Sequence, residues 1–173
     1  MAAYRIVHYL NQFFGGIGGE DKADYEPEVQ EKVIGPGLAL AQGLGDDYEI
    51  VATVICGDIY FGENLDEATD SIVEMVKRYH PDVFVAGPAF NAGRYGVACG
   101  TICKAVEERL GIPVVSGMYK ENPGTDMFRQ DVILVETGNS AATMRKAVPK
   151  FVNLIRKLAA GEEILRSEER RVG

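Results

Sequence analysis

Arg94 stands in the segment GPAFNAGRYGVACG, residues 87–100, where glycine and proline loosen the chain just ahead of an apolar helical pattern. A guanidinium beside the free N–H groups of a helix start suits a carboxylate or a phosphate. The alternative is an arginine paired with an acidic side chain or packed over Tyr95. Gly93 and Asn91 share this turn. Asn91 can orient an anion or simply cap the turn, and capping is the plainer reading. Gly15 and Gly16, in GGIGGED at 15–21, suit a close backbone approach, a flexible lid or a mobile turn. Their spacing is not the dinucleotide fingerprint, and no segment supplies the Gly-Lys-Ser/Thr of a phosphate loop. Asn139 and Ser140, in TGNS, can offer N–H groups to an anion or cap the last helix.

Acid–base and thiol candidates are fewer. Glu20, Asp21 and Asp58 can act as acids or bases, with solvated surface carboxylates as the plainer reading. Cys56 falls at the carboxyl end of an apolar run, where a nucleophile can work, but no nearby histidine is evident to activate it. Cys99 and Cys103 are four apart and share a helix face, which suits a redox pair or, more plainly, core packing. His8 and His80 are far apart and without clustered thiolates, so no metal site is expected.

These residues must be placed by regular elements. Five short apolar runs, at 4–10, 49–56, 82–86, 113–117 and 131–136, are rich in Val and Ile and mostly lack strict alternation. That is the pattern of parallel strands covered on both faces. Amphipathic helical patterns separate them. One uses Leu65, Ala68, Ile72, Met75, Val76 and Tyr79, with Asn64 as N-cap and Glu67 completing a capping box. Another runs from Val97 to Leu110 and stops at Gly111. The last is capped by Ser140, with a kink or restart at Pro149. The first crossover reads as two short helices, 28–33 and 36–44, separated by Gly35.

The expected fold is a three-layer α/β/α sandwich with a mostly parallel five-stranded sheet, in the flavodoxin-like order 2-1-3-4-5. Residues 1–160 form a single domain in this reading, followed by a polar tail or linker at 161–173. Loops entering the strands are plain, whereas loops leaving them are long and rich in Gly, Asn and charge. All five exits share the carboxyl edge of a parallel sheet, where ligands bind beside the reversal of strand order. Loops 15–21 and 88–94 are therefore expected to converge on one cleft.

The formal net charge of -8 argues against nucleic acid or an anionic membrane as partner. No apolar stretch is long enough to span a bilayer, and the N-terminus lacks a signal pattern. Three cysteines without a repeated framework suit a reducing cytoplasm.

Three segments carry a resemblance: GGIGGEDKAD, GPAFNAGRYGVACGTICKAVEERLGIPVVSGMYKENPG and VETGNSAATMRKAVPK. Together they resemble the selenoprotein B subunit of the glycine, sarcosine and betaine reductases, over nearly the whole chain through about Gly161. The similarity is to the N-terminal portion of that subunit. It implies a role in reductive cleavage of a substrate C–N bond in anaerobic amino-acid metabolism, with glycine or an N-methylated amine as substrate. In the family a selenocysteine attacks the substrate α-carbon, a partner subunit of component B carries a pyruvoyl group, and the carbon fragment passes to selenoprotein A. The family's selenocysteine-x-x-Cys setting has no counterpart here, so none of Cys56, Cys99 or Cys103 inherits the nucleophile.

The resemblance implies a cleft-forming domain that makes subunit contacts in a homo- or hetero-oligomer, holds no cofactor of its own and is inactive alone. Two other readings remain open at this point. One is a stand-alone module binding a carboxylate or phosphate. The other is a cysteine-dependent racemase or isomerase, which needs two opposed acid–base groups.

Overall fold

The five apolar runs form the centre of one sheet because each is buried on both faces. The computed structural model describes residues 3–161 and 171–172. Strands β1 (Tyr4–Asn11), β2 (Glu28–Gln30), β3 (Tyr48–Cys56), β4 (Val83–Ala86), β5 (Val114–Tyr119) and β6 (Ile133–Thr137) alternate with helices. A two-residue strand, β7 (Arg171–Val172), lies parallel to β6. The sheet order is β2-β3-β1-β4-β5-β6-β7. The five expected strands thus take the order 2-1-3-4-5, all parallel.

The strand count exceeds the expected five because each edge gains a short strand. The segment expected as a helix at 28–33 instead contributes β2, which pairs antiparallel with β3. Pro27 and Gly35 leave too few residues there for a stable helix. The free edge of β3 offers an alternative set of hydrogen bonds, and the Thr53 hydroxyl fixes the segment by donating to the Lys32 carbonyl at 2.7 Å. Most of the expected tail, 162–170 and 173, lies outside the described residues.

Among the described residues six α-helices cover the sheet: α1 (Pro36–Leu44), α2 (Asp58–Glu63), α3 (Leu65–Arg78), α4 (Gly93–Leu110), α5 (Pro123–Phe128) and α6 (Met144–Ala159). The strand residues divide by alternation. Val7, Tyr9, Val54, Phe84 and Ala86 pack with Ile72 and Val76 of α3 and Ile102 and Val106 of α4. Ile6, Ile50, Val85 and Val135 pack with Leu40 and Leu44 of α1 and Phe151 and Ile155 of α6. With both faces covered, the carboxyl edge and its loops are left to present a site.

Three expected helix ends differ. Asn64 occupies the N-cap of α3, but its amide donates to the Tyr60 carbonyl at 3.1 Å and does not cap α3. The short α2 ends directly before it and competes for that side chain. Ser140 opens a 3-10 turn at Ala141–Thr143, and its side chain caps nothing there. Pro149 neither ends nor restarts α6, which is continuous from Met144 to Ala159. Burial of Ala147, Phe151, Leu154 and Ile155 outweighs a lost backbone bond and ring clash of about 3 kcal/mol.

Helix α4 lies unusually close to α5. A Cβ on Gly100 would overlap the Phe128 ring, and one on Gly96 would overlap the Asn122 amide. We predict that Gly100→Ala lowers stability by about 1–3 kcal/mol, because the aromatic ring or α5 must shift. Gly62→Ala, exposed in α2 with nothing within 4 Å of the added carbon, should be neutral or slightly stabilising. Urea unfolding of both variants gives the comparison. Equal midpoints would show that α4 and α5 are not tightly seated.

Candidate functional site

The first strand runs out into buried polar residues, Asn11 at its end and Gln12 after it, between the parallel neighbours β3 and β4, where the strand order reverses. Asn11 Oδ1 accepts the Phe14 N–H at 2.9 Å and holds the turn after β1. Its Nδ2 donates to Asp58 Oδ2 at 3.0 Å, while the Asp58 N–H donates to Gln12 Oε1 at 3.1 Å. The chain then returns so that the Ala23 carbonyl accepts the N–H groups of Ile59 and Tyr60, at 2.9 and 3.0 Å. The β1 exit loop therefore satisfies the opening donors of α2 and fixes Asp58 at its first turn.

The third exit is fixed from below. Gly87–Pro88 is a cis peptide, and Phe90 has φ 51°. The Gly87 N–H donates to the Tyr9 carbonyl at 3.0 Å, and the Ala89 N–H to the Gly117 carbonyl at 2.8 Å. His8 Nε2 lies 2.7 Å from the Gly87 carbonyl, so Nε2 carries the hydrogen. Asn122, only 2% exposed, donates from Nδ2 to the carbonyls of Phe90 and Ala92, at 3.0 Å each. Its Oδ1 accepts the Gly124 N–H at 2.9 Å, capping α5. One amide thus joins the third exit to the fourth.

These loops enclose a cleft of about 440 Å³. Its lining includes Asn11, Gln12, Phe13 and Phe14 from the first exit, Asp58 from the second, residues 89–95 from the third, and residues 139–141 from the last. Arg94, Asn91, Gly93, Glu20, Asp58, Asn139 and Ser140 are brought together there, as is Gly19. Gly15, Gly16, Asp21, Cys56 and Cys99 are not part of the lining. Gly15 packs against Ile55 and the Asn11 carbonyl, which leaves no room for a side chain.

Arg94 is engaged by Glu20, with Nη2 at 2.7 Å from Oε1 and 2.9 Å from Oε2. The two side chains are 55% and 67% exposed. Ala92 takes the N-cap of α4 and supplies no side-chain acceptor, so the opening N–H groups beside Arg94 lack a capping side chain.

Asp58 is the buried charge of the cleft, at 8% exposure. Burial pushes its carboxyl up to about 6, against the smaller opposing effects of the Asn11 hydrogen bond and Arg94. Its Oδ1 is buried and accepts no hydrogen bond. The Tyr9 and Tyr95 hydroxyls are likewise buried without partners, and the Asp58 charge adds to the upward push that burial gives both. Burial pushes the Cys56 thiol up to about 12, with Asp58 adding to the effect. Cys99 and Cys103 are fully buried and pushed up for the same primary reason. All three thiols are protonated near neutral pH, which suits packing and not nucleophilic work. No group of three or more His, Cys, Asp or Glu among the described residues is placed to hold a metal ion.

Several residues of the site carry no strong signal in the sequence. Asn11 and Gln12 read as the polar end of a strand. Asn122 has a legible cue, an Asn before Pro-Gly, but its reach to Phe90 depends on tertiary structure. Phe13, Phe14 and Phe90 line the cleft with Tyr95. Phe14 lies 5.8 Å from both the Phe90 and Tyr95 rings and 5.1 Å edge-on from Phe13.

Residues 3–172 match the family Glycine/sarcosine/betaine reductase selenoprotein B. The chain is 62% identical over 162 residues to the sarcosine reductase complex component B subunit beta of Peptoclostridium acidaminophilum, covering 94% of this chain and 37% of the relative. It is 60% identical over 159 residues to the glycine reductase complex component B subunit gamma of Symbiobacterium thermophilum, covering 92% and 37%. The betaine reductase complex component B subunit beta of Peptoclostridium acidaminophilum is 46% identical over 165 residues, covering 95% and 38%. The chain spans just over a third of the length of these relatives. No solved structure matches. No helix among the described residues is long and apolar enough to cross a membrane.

The buried titrating groups give a pH test. Asp58, raised from 3.8 to about 6, favours the folded state when protonated; its contribution is lost as pH rises from about 4 through 6. His8, lowered from 6.5 to about 4 by burial, acts oppositely; its contribution is lost as pH falls from 6.5 through 4. The two offset each other between pH 4 and 6. We predict that Asp58→Asn makes the protein lose stability more steeply on acidification than wild type. The stability difference between the two should change by roughly 3 kcal/mol between pH 7 and pH 4. Denaturant unfolding across that range measures it, and parallel curves would mean that Asp58 titrates normally.

Proposed function

We propose a role for this chain from one premise: it belongs to the glycine/sarcosine/betaine reductase selenoprotein B family. Its relatives are component B subunits of reductase complexes. In the proposed role the chain provides the substrate-cleft wall of such a component B and contacts the other subunits of the complex. The cleft holds the carboxylate of a small amino-acid or N-methylated amine substrate against Arg94 and the opening N–H groups of α4. The reaction served is reductive C–N cleavage with release of an amine.

The observation that carries this reading is the convergence of four strand exits on one cleft that places Arg94 beside an uncapped helix start. The Glu20–Arg94 pair does not oppose it. Both partners are more than half exposed, and exposed pairs contribute about 0–1 kcal/mol. A substrate carboxylate that also meets the helix N–H groups offers Arg94 a better partner. Selenium and pyruvoyl chemistry, which the family implies, would supply the attacking atom and the activating carbonyl. The cleft residues do not themselves supply the attacking atom, since all three cysteines are buried and none stands in the lining. Asn91, Asn139 and Ser140, all exposed in the lining, remain to orient the ligand in this open cleft.

Two outcomes test the role. In the complete component B assayed with its partners, Arg94→Ala should lower kcat/KM for amine release roughly ten- to a hundredfold, the worth of one charge-assisted contact. Arg94→Lys should recover only part of it, since the fork geometry is lost. Unchanged kinetics in Arg94→Ala would remove Arg94 from the site. Separately, the 173-residue chain alone, incubated with dithiothreitol and glycine, sarcosine or betaine, should release no amine above a no-protein control. Release abolished by Cys56→Ser or Cys99→Ser would assign the nucleophile to this chain instead.

A further inference from the structure

Helix α1 lies on the surface and carries no charge. Residues 33–45, VIGPGLALAQGLG, contain no Asp, Glu, Lys or Arg. Gly37, Leu40 and Leu44 are its buried residues, so Leu38, Ala39 and Gln42 fall on the opposite, outward stripe. Leu38 is 62% exposed. The outer face of a surface helix ordinarily carries charge, and a helix without a polar face is one that another surface covers. Beside the stripe, between α1 and α6, lies a groove of about 450 Å³ lined by Ala39, Gln42, Gly43, Met144, Val148 and Pro149. Its wall is set by Gly43, where a Cβ would stand only 3.0 and 3.2 Å from Val152 and Val148. Leu38 is thus an apolar knob next to an apolar hole that it cannot fill in its own chain.

The two ends of this face have opposite charge. Helices α1 and α6 run in the same direction. Ala39 and Met144 meet near their starts, and Arg156 donates to the Gly43 and Leu44 carbonyls at the α1 end, at 3.3 and 3.2 Å. Arg145 and Lys146 therefore mark the starting end of the face, and Asp46 and Asp47 follow its finishing end. All four are exposed, and among the described residues none makes an ion pair or a side-chain hydrogen bond.

We propose that the α1–α6 face is a two-fold interface with a second copy of this chain. A two-fold axis normal to α1, between Leu38 and Gln42, sets the two α1 helices antiparallel. Leu38 of each copy then enters the groove of the other. Asp46 and Asp47 of each copy come beside Arg145 and Lys146 of the other. An isologous interface needs knob and hole, and both signs of charge, on one patch. This patch holds all of them, in the order that a two-fold axis requires. A partner of unrelated sequence needs no such self-complementarity. Leu38, Gly43, Met144 and Val148 do not line the cleft, so pairing leaves both clefts open. Two adjacent helices give a face about 24 Å long and about 20 Å wide. That area is on the order of 500 Å² per copy, at the low end for a specific interface, so the dimer is reversible.

Sedimentation equilibrium of the chain, from micromolar to near-millimolar concentration, is the test. The mass should rise from one chain to two, and added salt should weaken the dimer because its end charges are exposed. Leu38→Glu, at an exposed position outside the core, should weaken association roughly ten- to a hundredfold. Reversing Asp46 and Asp47 to Lys should weaken it, as should reversing Arg145 and Lys146 to Glu. All four reversals together should restore it. The proposal is overturned by a single-chain mass at every concentration, or by a dimer that Leu38→Glu leaves as tight as wild type. It is also overturned if the combined reversals repair nothing, since the charged ends then do not meet. A chain that stays single alone, but is held through Leu38 by another subunit of the reductase complex, would give this face to that subunit and overturn the pairing.

Discussion

Everything at this site depends on the direction of five parallel strands. Parallel pairing sends every strand of the central sheet toward the same edge, and helices on both faces close the remaining routes to solvent. Polar groups that cannot be buried among Val and Ile are therefore gathered at the strand ends. The result is a division of labour along each strand. Val7 and Tyr9 belong to the core, while Asn11 and Gln12, a few residues on, organise a cleft. The same division recurs at β4, where Val83–Ala86 is wholly buried and residues 89–95 line the cleft.

The central topology was legible because burial on both faces leaves a plain signature: short, unalternating runs of Val and Ile with helical periods between them. The exits were legible because glycine, asparagine and charge crowd only one end of each strand. What the pattern could not carry was anything fixed by a single long-range hydrogen bond. β2 has three half-buried residues, and its strand state depends on the free edge of β3, not on its own sequence. Asn64 meets every local rule for a cap and is taken by Tyr60 instead. Among the site residues, Arg94 and Asn91 stood out by type and spacing. Asp58 did not, since its burial is set by Asn11 and Gln12, forty-odd residues away in the chain. The thiols show the converse. Cys56 has a suggestive position at a strand end, but its side chain turns into the core beside Val54 and Tyr9, and burial silences it.

Asn122 shows how one side chain can couple packing to the site. Its amide is sandwiched where α4 and α5 approach so closely that Gly96 must lack a side chain. From there it fixes two carbonyls of the loop that carries Asn91 and leads to Arg94. The position of the α4 start is thus determined by an interhelical contact outside the cleft lining. A change that widened the α4–α5 gap would loosen that carbonyl pair first and reach the guanidinium through the loop.

The ion pair at the cleft mouth has a related logic. A buried Arg–Glu pair would be difficult to open, because each partner would lose a charge it cannot replace from water. Here both partners are exposed, so separating them costs little, yet while joined Glu20 partly offsets the lowering effect of Arg94 on the Asp58 carboxyl. If a ligand carboxylate takes Arg94, Glu20 returns to solvent as a hydrated anion, and the charge count of the cleft changes by one negative group moved outward. The field at Asp58 then becomes less negative from Glu20 and more negative from the ligand, so that exchanging one carboxylate for another at Arg94 sets two effects of opposite sign against each other.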